Sequence, residues 1–220
     1  MDNSYKVRKA TIDDIDFLSD VIIAAEKSNS DKLSFSTLFN IEEEIVKKLL
    51  CEMLEEEIIG CELSISSFLV VDYMQNPVAA FGGWIERIED EMSSKLLKSN
   101  LISYYFGKEG ILNLKSKSHL LKNILIDRED KTLQLEYLYV DSRHRGKKIT
   151  DMLIEQHIID GKQLYPELKK AQVQVFKNNI GAIKAYENNG FSISKTFKVQ
   201  DQEVLNYLPF NEKYLMEKKL

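Results

Sequence analysis

The spacing of apolar residues changes along the chain, and each change predicts a different kind of element. Apolar residues that recur three and four positions apart predict amphipathic helices over 12–27, 37–58 and 90–106. Alternating or short apolar runs between turn residues predict strands over 5–11, 68–73 and 78–84. Gly82 and Gly83 in the last of these strands indicate a bulge or a close approach of another backbone. The segment 107–131 has no clear period, so we expect it to be mostly irregular, with a short helix near 119–124.

The carboxyl-terminal half has the clearest pattern. Strand 133–140, helix 149–163 and strand 171–176 predict a βαβ unit, whose two strands should pair in parallel. A helix over 180–188 follows, with Gly190 as its left-handed cap, and residues 191–199 and 214–218 supply closing strands. We therefore predict a single α+β domain over residues 1–220, with about 85–132 as an elaboration of its core.

Composition mainly excludes classes of protein. A hydrophobic content of 44% and a charged content of 30% are ordinary for a soluble globular protein. No apolar run is long enough to span a membrane, and the start, Met1–Tyr5, does not resemble a secretory signal. Cys51 and Cys61 form neither a disulfide framework nor a metal-binding motif, so we expect a cytoplasmic protein without a metal. The net charge of −5 argues against general nucleic-acid binding.

Acidic residues concentrate in the second predicted helix. The glutamates in question are residues 42, 43, 44, 52, 55, 56 and 57. A solvated helix face is the simpler interpretation, because runs of charge usually face water. The alternative is a negative rim that steers a cationic substrate.

A basic turn joins strand 133–140 to the helix after it. Its cations are Arg143, Arg145, Lys147 and Lys148, with His144 as a further candidate. The unpaired N–H groups and the dipole at a helix start attract anions, and these cations strengthen the attraction. The expected ligand is a polyphosphate.

Two motifs frame this unit and suggest which polyphosphate binds. They are Leu138-Tyr139-Val140-Asp141-x-x-x-Arg145-Gly146-Lys147 and Asn179-x-x-Ala182-Ile183-x-x-Tyr186-Glu187-x-x-Gly190-Phe191. In this order they resemble the Gcn5-related N-acetyltransferase (GNAT) superfamily, which uses acetyl-CoA to acylate amines. The resemblance implies a mixed, mostly antiparallel central sheet with helices on both faces and a splayed pair of parallel strands.

The resemblance also implies where acetyl-CoA would bind. The pantetheine arm would lie between the splayed strands, and a backbone N–H near Leu138 would stabilise the acetyl carbonyl oxygen. The implied cofactor-binding residues are Leu138, Tyr139, Val140, Arg145, Gly146, Lys147, Lys148, Ile149, Thr150, Asn179, Ala182 and Tyr186. Lys148 and Thr150 replace small residues of the family that let the backbone approach the diphosphate. First-turn helical angles remain available to both residues.

Two residues are candidates for proton transfer. Tyr186 would act as the general acid, because a phenol is protonated at neutral pH and can donate to a thiolate. Glu136 would act as the general base through a water molecule, with Glu86 as a weaker second choice. Asn179 has two equally weighted roles, as a contact of the pantetheine amide and as the N-cap of helix 180–188.

The sequence therefore predicts an N-acetyltransferase that moves an acetyl group from acetyl-CoA directly to a primary amine. The acceptor would be a small molecule, a polyamine or a Lys-bearing peptide, and the sequence leaves homodimerisation open. One alternative is a catalytically inactive CoA-binding sensor or scaffold. Another is a polyanion-binding module that uses only the basic turn.

Overall fold

A seven-stranded mixed sheet forms the centre of the protein, seen in a computed structural model that describes residues 4–89 and 91–220. The strands lie in the order β1-β2-β3-β4-β5-β7-β6. Their bounds are Tyr5–Lys9 for β1, Phe68–Tyr73 for β2, Asn76–Ile85 for β3, Leu133–Val140 for β4, Lys170–Phe176 for β5, Ser192–Lys198 for β6 and Glu212–Lys219 for β7. Only β4 and β5 pair in parallel, as the βαβ pattern predicts.

Seven α-helices surround the sheet in the described part of the chain. They are α1 (Ile15–Lys27), α2 (Ser34–Phe39), α3 (Glu43–Glu55), α4 (Ser94–Tyr105), α5 (Gly107–Leu121), α6 (Ile149–Leu164) and α7 (Ile180–Asn188). One hydrophobic core joins the first five helices to one face of the sheet, and a second core joins α6 and α7 to the other. The predicted fold class, with helices on both faces, is confirmed.

Two predicted elements in the first half were wrong. The helix expected over 37–58 is two helices, because Asn40 takes a left-handed conformation (φ 57°) that ends α2. The segment 107–131 is largely helical, since α5 occupies Gly107–Leu121. Its apolar pattern is weak because it buries few residues, chiefly Gly110, Leu120 and Leu121.

Other predicted boundaries moved by a few residues. The helix expected over 90–106 begins at Ser94, with Ser93 as its N-cap, and its predicted start at Asp90 lies outside the described residues. The proposed absence of a signal sequence rests partly on residues 1–3, which are outside them too.

The parallel pair separates after three residues of each strand. Leu133–Leu135 pair with Ala171–Val173, and no pairing continues beyond them within the sheet. On its other side, β4 bulges: Tyr137 and Leu138 lie opposite the single residue Phe81 of β3, and Tyr137 has a positive φ of 61°. The separation and the bulge together open the sheet at its centre.

The predicted close approach at the two glycines of β3 is present. A Cβ on Gly82 would lie 2.9 Å from the carbonyl oxygen of Glu136, and one on Gly83 would lie 2.5 Å from the ring of His157 on α6. Because no side chain fits at either position, β4 and α6 can pack closely against β3 beside the opening.

Candidate active site

An open cleft lies where β4 and β5 separate, with a volume of about 620 Å³ including its solvent-open part. Its walls come from the end of α1, the β4 bulge, the end of β5, the start of α7 and one residue of β7. Five residues singled out from the sequence meet here, namely Glu136, Leu138, Asn179, Ala182 and Tyr186. The cleft therefore collects the candidate catalytic pair and the proposed pantetheine contacts.

Tyr186 presents a buried ring and a free hydroxyl to this cleft. The ring stacks on Phe81 with 6.3 Å between centroids and also contacts Phe191. Its hydroxyl makes no hydrogen bond to any described residue. Burial raises the pKa of the phenol well above its ordinary value, and the nearby Glu136 carboxylate raises it further. The phenol therefore stays protonated through the neutral and mildly alkaline range.

Glu136 is held by an arginine from the segment between β3 and β4. The Arg128 guanidinium donates to Oε1 of Glu136 over 2.7 Å and to Oε1 of Glu62 over 2.8 Å. Arg128 also lies over the ring of Trp84, with 5.0 Å to the centroid. The Glu136 carboxylate is thus fixed in position, with 15% of its side chain exposed.

A second cation completes the charged network behind the cleft. Lys98 of α4 lies 3.1 Å from the buried carboxylate of Glu62 and donates to the hydroxyl of Tyr137 over 2.8 Å. Nearby carboxylates outweigh burial and raise the pKa of Lys98, so it stays charged. The network fixes the bulged residue Tyr137, whose left-handed backbone would otherwise be strained.

Asn179 is the N-cap of α7. Its Oδ1 accepts from the N–H of Ala182 over 3.2 Å and from the side-chain amide of Asn29 over 3.1 Å. The same side chain lines the cleft. Asn179 therefore acts as the predicted N-cap. Its position in the cleft also leaves its side-chain N–H groups available for a ligand.

The basic turn ends at an uncapped helix. No side chain caps the start of α6, and Arg145, Gly146, Lys147 and Lys148 are all exposed there. Ile149 and Thr150 form the first turn. Arg145 donates from Nε to the carbonyl oxygen of Val140 over 3.1 Å. A helix start that no described side chain caps, with the exposed Lys147 and Lys148 beside it, is a candidate diphosphate site.

Two members of the turn differ from expectation. Lys148 does not take first-turn helical angles but is the left-handed N-cap of α6 (φ 60°), whereas Thr150 is helical as expected. His144 does not face the helix start, because its Nδ1 lies 3.0 Å from the hydroxyl of Tyr5 and its ring packs against Tyr73. Arg143 is paired with Asp141 at 2.8 Å, which reduces its contribution to an anion site.

Comparisons with known proteins agree with this geometry. The sequence model of the acetyltransferase (GNAT) family matches residues 110–191, which contain both motifs. Residues 110–191 therefore match the GNAT family by sequence, whereas the whole chain shares the fold of solved acetyltransferase structures. No curated protein matches the chain by sequence.

Solved structures share the GNAT fold at low identity. An acetyltransferase crystal structure aligns at 16% identity and a TM-score of 0.58, over 97% of this chain and 98% of the other. An N-acetyltransferase from Staphylococcus aureus Mu50 aligns at 10% identity and 0.58, over 96% and 99%. A ribosomal-protein-alanine N-acetyltransferase from Brucella melitensis aligns at 16% and 0.55, over 98% and 99%. These structures therefore show that this chain has the same fold.

Three charged residues at the cleft were not predicted from the sequence. Glu26 and Lys213 line it directly, and Arg128 reaches it through Glu136. No local pattern marks them: Lys213 is one of several charged residues in an alternating strand, and only the pairing of β7 with β5 brings it to the cleft. Glu86, the weaker candidate base, does not line the cleft; its carboxylate instead accepts from the backbone and hydroxyl of Ser94.

Three further expectations concern the acidic residues, metal binding and membrane insertion. None of the seven glutamates between residues 42 and 57 is among the residues lining the cleft; four of them, Glu43, Glu44, Glu52 and Glu55, lie on α3. Within residues 4–89 and 91–220, no group of three or more His, Cys, Asp or Glu side chains could hold a metal ion. No helix of the same residues is both long and apolar enough to cross a bilayer.

Proposed function

We propose that this acetyltransferase moves the acetyl group of acetyl-CoA to a primary amine by direct attack, with both substrates bound together. The proposal is supported chiefly by a protonated, unpaired phenol and a fixed carboxylate that share one cleft. Neither cysteine is among the residues lining that cleft, and burial raises the pKa of Cys61 to about 11, so neither is suited to attack acetyl-CoA and form an S-acetyl intermediate on the enzyme.

Acetyl-CoA fits the arrangement of charged and open positions. The N–H groups at the start of α6, together with Arg145, Lys147 and Lys148, would hold the diphosphate. Leu138, Asn179 and Ala182 would contact the pantetheine arm along the cleft, with Tyr139 and Val140 continuing the same strand. When bound, acetyl-CoA supplies the activated acetyl group.

Tyr186 would hold the proton needed by the departing sulfur. Its hydroxyl has no described partner that would compete for that proton, and its raised pKa keeps it in the acid form. Proton donation by a positioned group typically contributes about 10²–10⁴ in rate. The phenol is therefore the general acid of the proposed reaction.

Glu136 would accept the proton of the amine through a water molecule. Its pairing with the Arg128 guanidinium fixes the position of the carboxylate at the cleft. Replacement of Glu136 by Gln should lower kcat with little change in CoA affinity. An unchanged kcat would transfer the role to another group, with Glu26 the first candidate.

The test of the function is a panel of primary amines incubated with acetyl-CoA while free thiol is measured. Small amines, a polyamine and a Lys-bearing peptide should all be included, since each has an amine that can attack. Amine-dependent thiol release together with an N-acetylated product supports the proposal. CoA binding without thiol release from any amine would contradict it.

That second result would favour a CoA-binding sensor. The observation that motivates this alternative is Lys148, whose side chain stands at a left-handed position where the family has a small residue. Calorimetry of CoA binding separates the two functions, because a sensor needs affinity without turnover. Two free thiols in the described chain fit a reducing compartment such as the cytoplasm for either function.

A further inference from the structure

Lys213 is the one cleft-lining lysine, and its ammonium group is not paired within the described chain. It lies on β7 directly opposite Phe176 of β5, and its Nζ is 4.5 Å from the centroid of the Phe176 ring. No carboxylate of the described residues forms an ion pair with it. The face of an aromatic ring is its main stabilising contact.

The other cations near the cleft differ from Lys213 because they are paired with carboxylates. Lys98 and Arg128 each lie within 3.1 Å of a carboxylate oxygen. A cation–π contact compensates only part of the cost of removing an ammonium from water. Burial accordingly lowers the pKa of Lys213 despite the negative charges of Glu26 and Glu136. An anionic ligand in the cleft would therefore supply the ion-pair partner that the described residues do not give Lys213.

The position of Lys213 separates it from the proposed path of acetyl-CoA. Phe176, on which it rests, packs in the core shared with α1. Tyr186 packs in the opposite core, with α6 and α7. Since the diphosphate and the sulfur would approach from the α6 side, Lys213 lies across the open sheet, where the acceptor would enter.

Glu26 of α1 lines the same cleft and makes no ion pair with a described residue. The acceptor side thus offers one unpaired carboxylate and one unpaired ammonium. A molecule with an ammonium and an anionic group complements both charges. A polyamine would instead meet the like charge of Lys213.

We propose that Lys213 forms an anion subsite on the acceptor side, so that the acceptor is an amine that also carries a carboxylate or a phosphonate. This inference rests on the proposed amine acetylation and narrows its substrate class. Lys213 would determine specificity by orienting the acceptor, and it takes no part in proton transfer.

The experiment uses matched acceptors that differ in one group. Amino acids are compared with their α-carboxamides, and aminoalkylphosphonates with the corresponding amino alcohols, by thiol release from acetyl-CoA. The enzymes are the wild type, Lys213→Met, Lys213→Arg and Lys213→Glu. Lys219→Met is the control, because Lys219 is an exposed lysine at the end of the same strand.

The wild type should prefer the anionic member of a pair by about ten- to a hundredfold in kcat/KM, the range expected for a hydrogen bond to a charged group. Lys213→Met should lose this preference mainly through KM, Lys213→Arg should retain it, and Lys213→Glu should reverse it. Lys219→Met should behave as the wild type. Comparing the amino-acid pairs with the aminoalkylphosphonate pairs shows whether the subsite binds a carboxylate or a phosphonate.

Binding distinguishes failure of this inference from failure of the proposed function. The same pairs are titrated by calorimetry into protein saturated with CoA. Anion-dependent binding that Lys213→Met abolishes supports the subsite even where no acceptor is turned over. Equal use and equal binding of both members by the wild type, or a preference that survives in Lys213→Met, would overturn it.

Discussion

Tyr186 and Glu136 face the same cleft, but their surroundings suit them to opposite roles. The phenol is buried beside Phe81 with no described hydrogen-bond partner, which keeps it protonated. The carboxylate is held in position by its ion pair with Arg128. A proton donor and a proton acceptor that face one cleft are what general acid–base catalysis requires.

Replacing Tyr186 by Phe should lower kcat by about a hundredfold or more, because the ring packing remains while the proton donor is lost. The dissociation constant for CoA should change little, since the hydroxyl is proposed to act on the sulfur only as it departs. Steady-state kinetics and calorimetry measure the two quantities. Tyr104→Phe is the control, as that side chain is 77% exposed. Equal losses in turnover and CoA affinity would defeat the acid role.

Single residues also show the limits of prediction from sequence. Tyr186 and Asn179 could be found because each belongs to a motif with fixed spacing along one helix. Glu26, Arg128 and Lys213 could not, because they reach the cleft from elements distant in the chain. Their roles depend on which strands pair, and one sequence contains no local signal of that pairing.

At the scale of elements, the start of α6 is the proposed diphosphate site, but its backbone conformation is locally unfavourable. Its N-cap, Lys148, has the left-handed φ that disfavours any residue with a Cβ. The neighbouring Gly146 has a φ of 75°, which glycine adopts without strain. Gly146 therefore suits its left-handed backbone conformation, whereas Lys148 does not.

Lys148→Gly should stabilise the protein by up to about 1 kcal/mol, because glycine relieves the left-handed conformation. Lys147→Gly is the matched control: it removes the same charge at a position without positive φ, and should destabilise slightly. Chemical denaturation of the unliganded protein measures both changes. A Lys148→Gly variant no more stable than Lys147→Gly would show that strain at this turn is negligible.

The contact between β3 and α6 predicts a pH dependence of stability. His157 is buried, its Nε2 lies 2.8 Å from the carbonyl oxygen of Phe81, and burial lowers its pKa to about 4. Because the unfolded histidine has a pKa of about 6.5, the unfolded state binds the proton first as pH falls. Stability should be complete above about pH 6.5 and decline toward pH 4 by up to about 3 kcal/mol.

Denaturation curves at several pH values in this range test that decline. The part due to this histidine should disappear in His157→Gln and persist in His119→Gln, since His119 is exposed on α5. A decline of the same size in both variants would assign it to the carboxylates of the chain instead.

The sequence predicted some helices and strands much better than others. The βαβ unit, helix 180–188 and its Gly190 cap follow from strong periodicity and agree with the structure to within a residue or two. Helices α2, α3 and α5 were misjudged because their ends depend on Asn40 and Gly107 in left-handed conformations, which periodicity does not encode. Because the apolar pattern of α5 is weak, the stability of this helix depends on its tertiary packing.

At the scale of the whole molecule, the sheet brings two separate cores to one opening. The α6–α7 side contributes Tyr186 and the helix start proposed to bind an anion, whereas the α1–α5 side contributes Glu26 and the network that fixes Glu136. The segment between β3 and β4 supplies Lys98 and Arg128 to that network. This segment thereby supports the site without being among the residues that line it.

A structure of the protein with CoA bound would test the proposed site directly. We expect the diphosphate against the backbone N–H groups at the start of α6, beside Arg145 and Lys147, with the sulfur in the β4–β5 opening within hydrogen-bond distance of the Tyr186 hydroxyl. A cofactor bound elsewhere, or a sulfur out of reach of that hydroxyl, would contradict it.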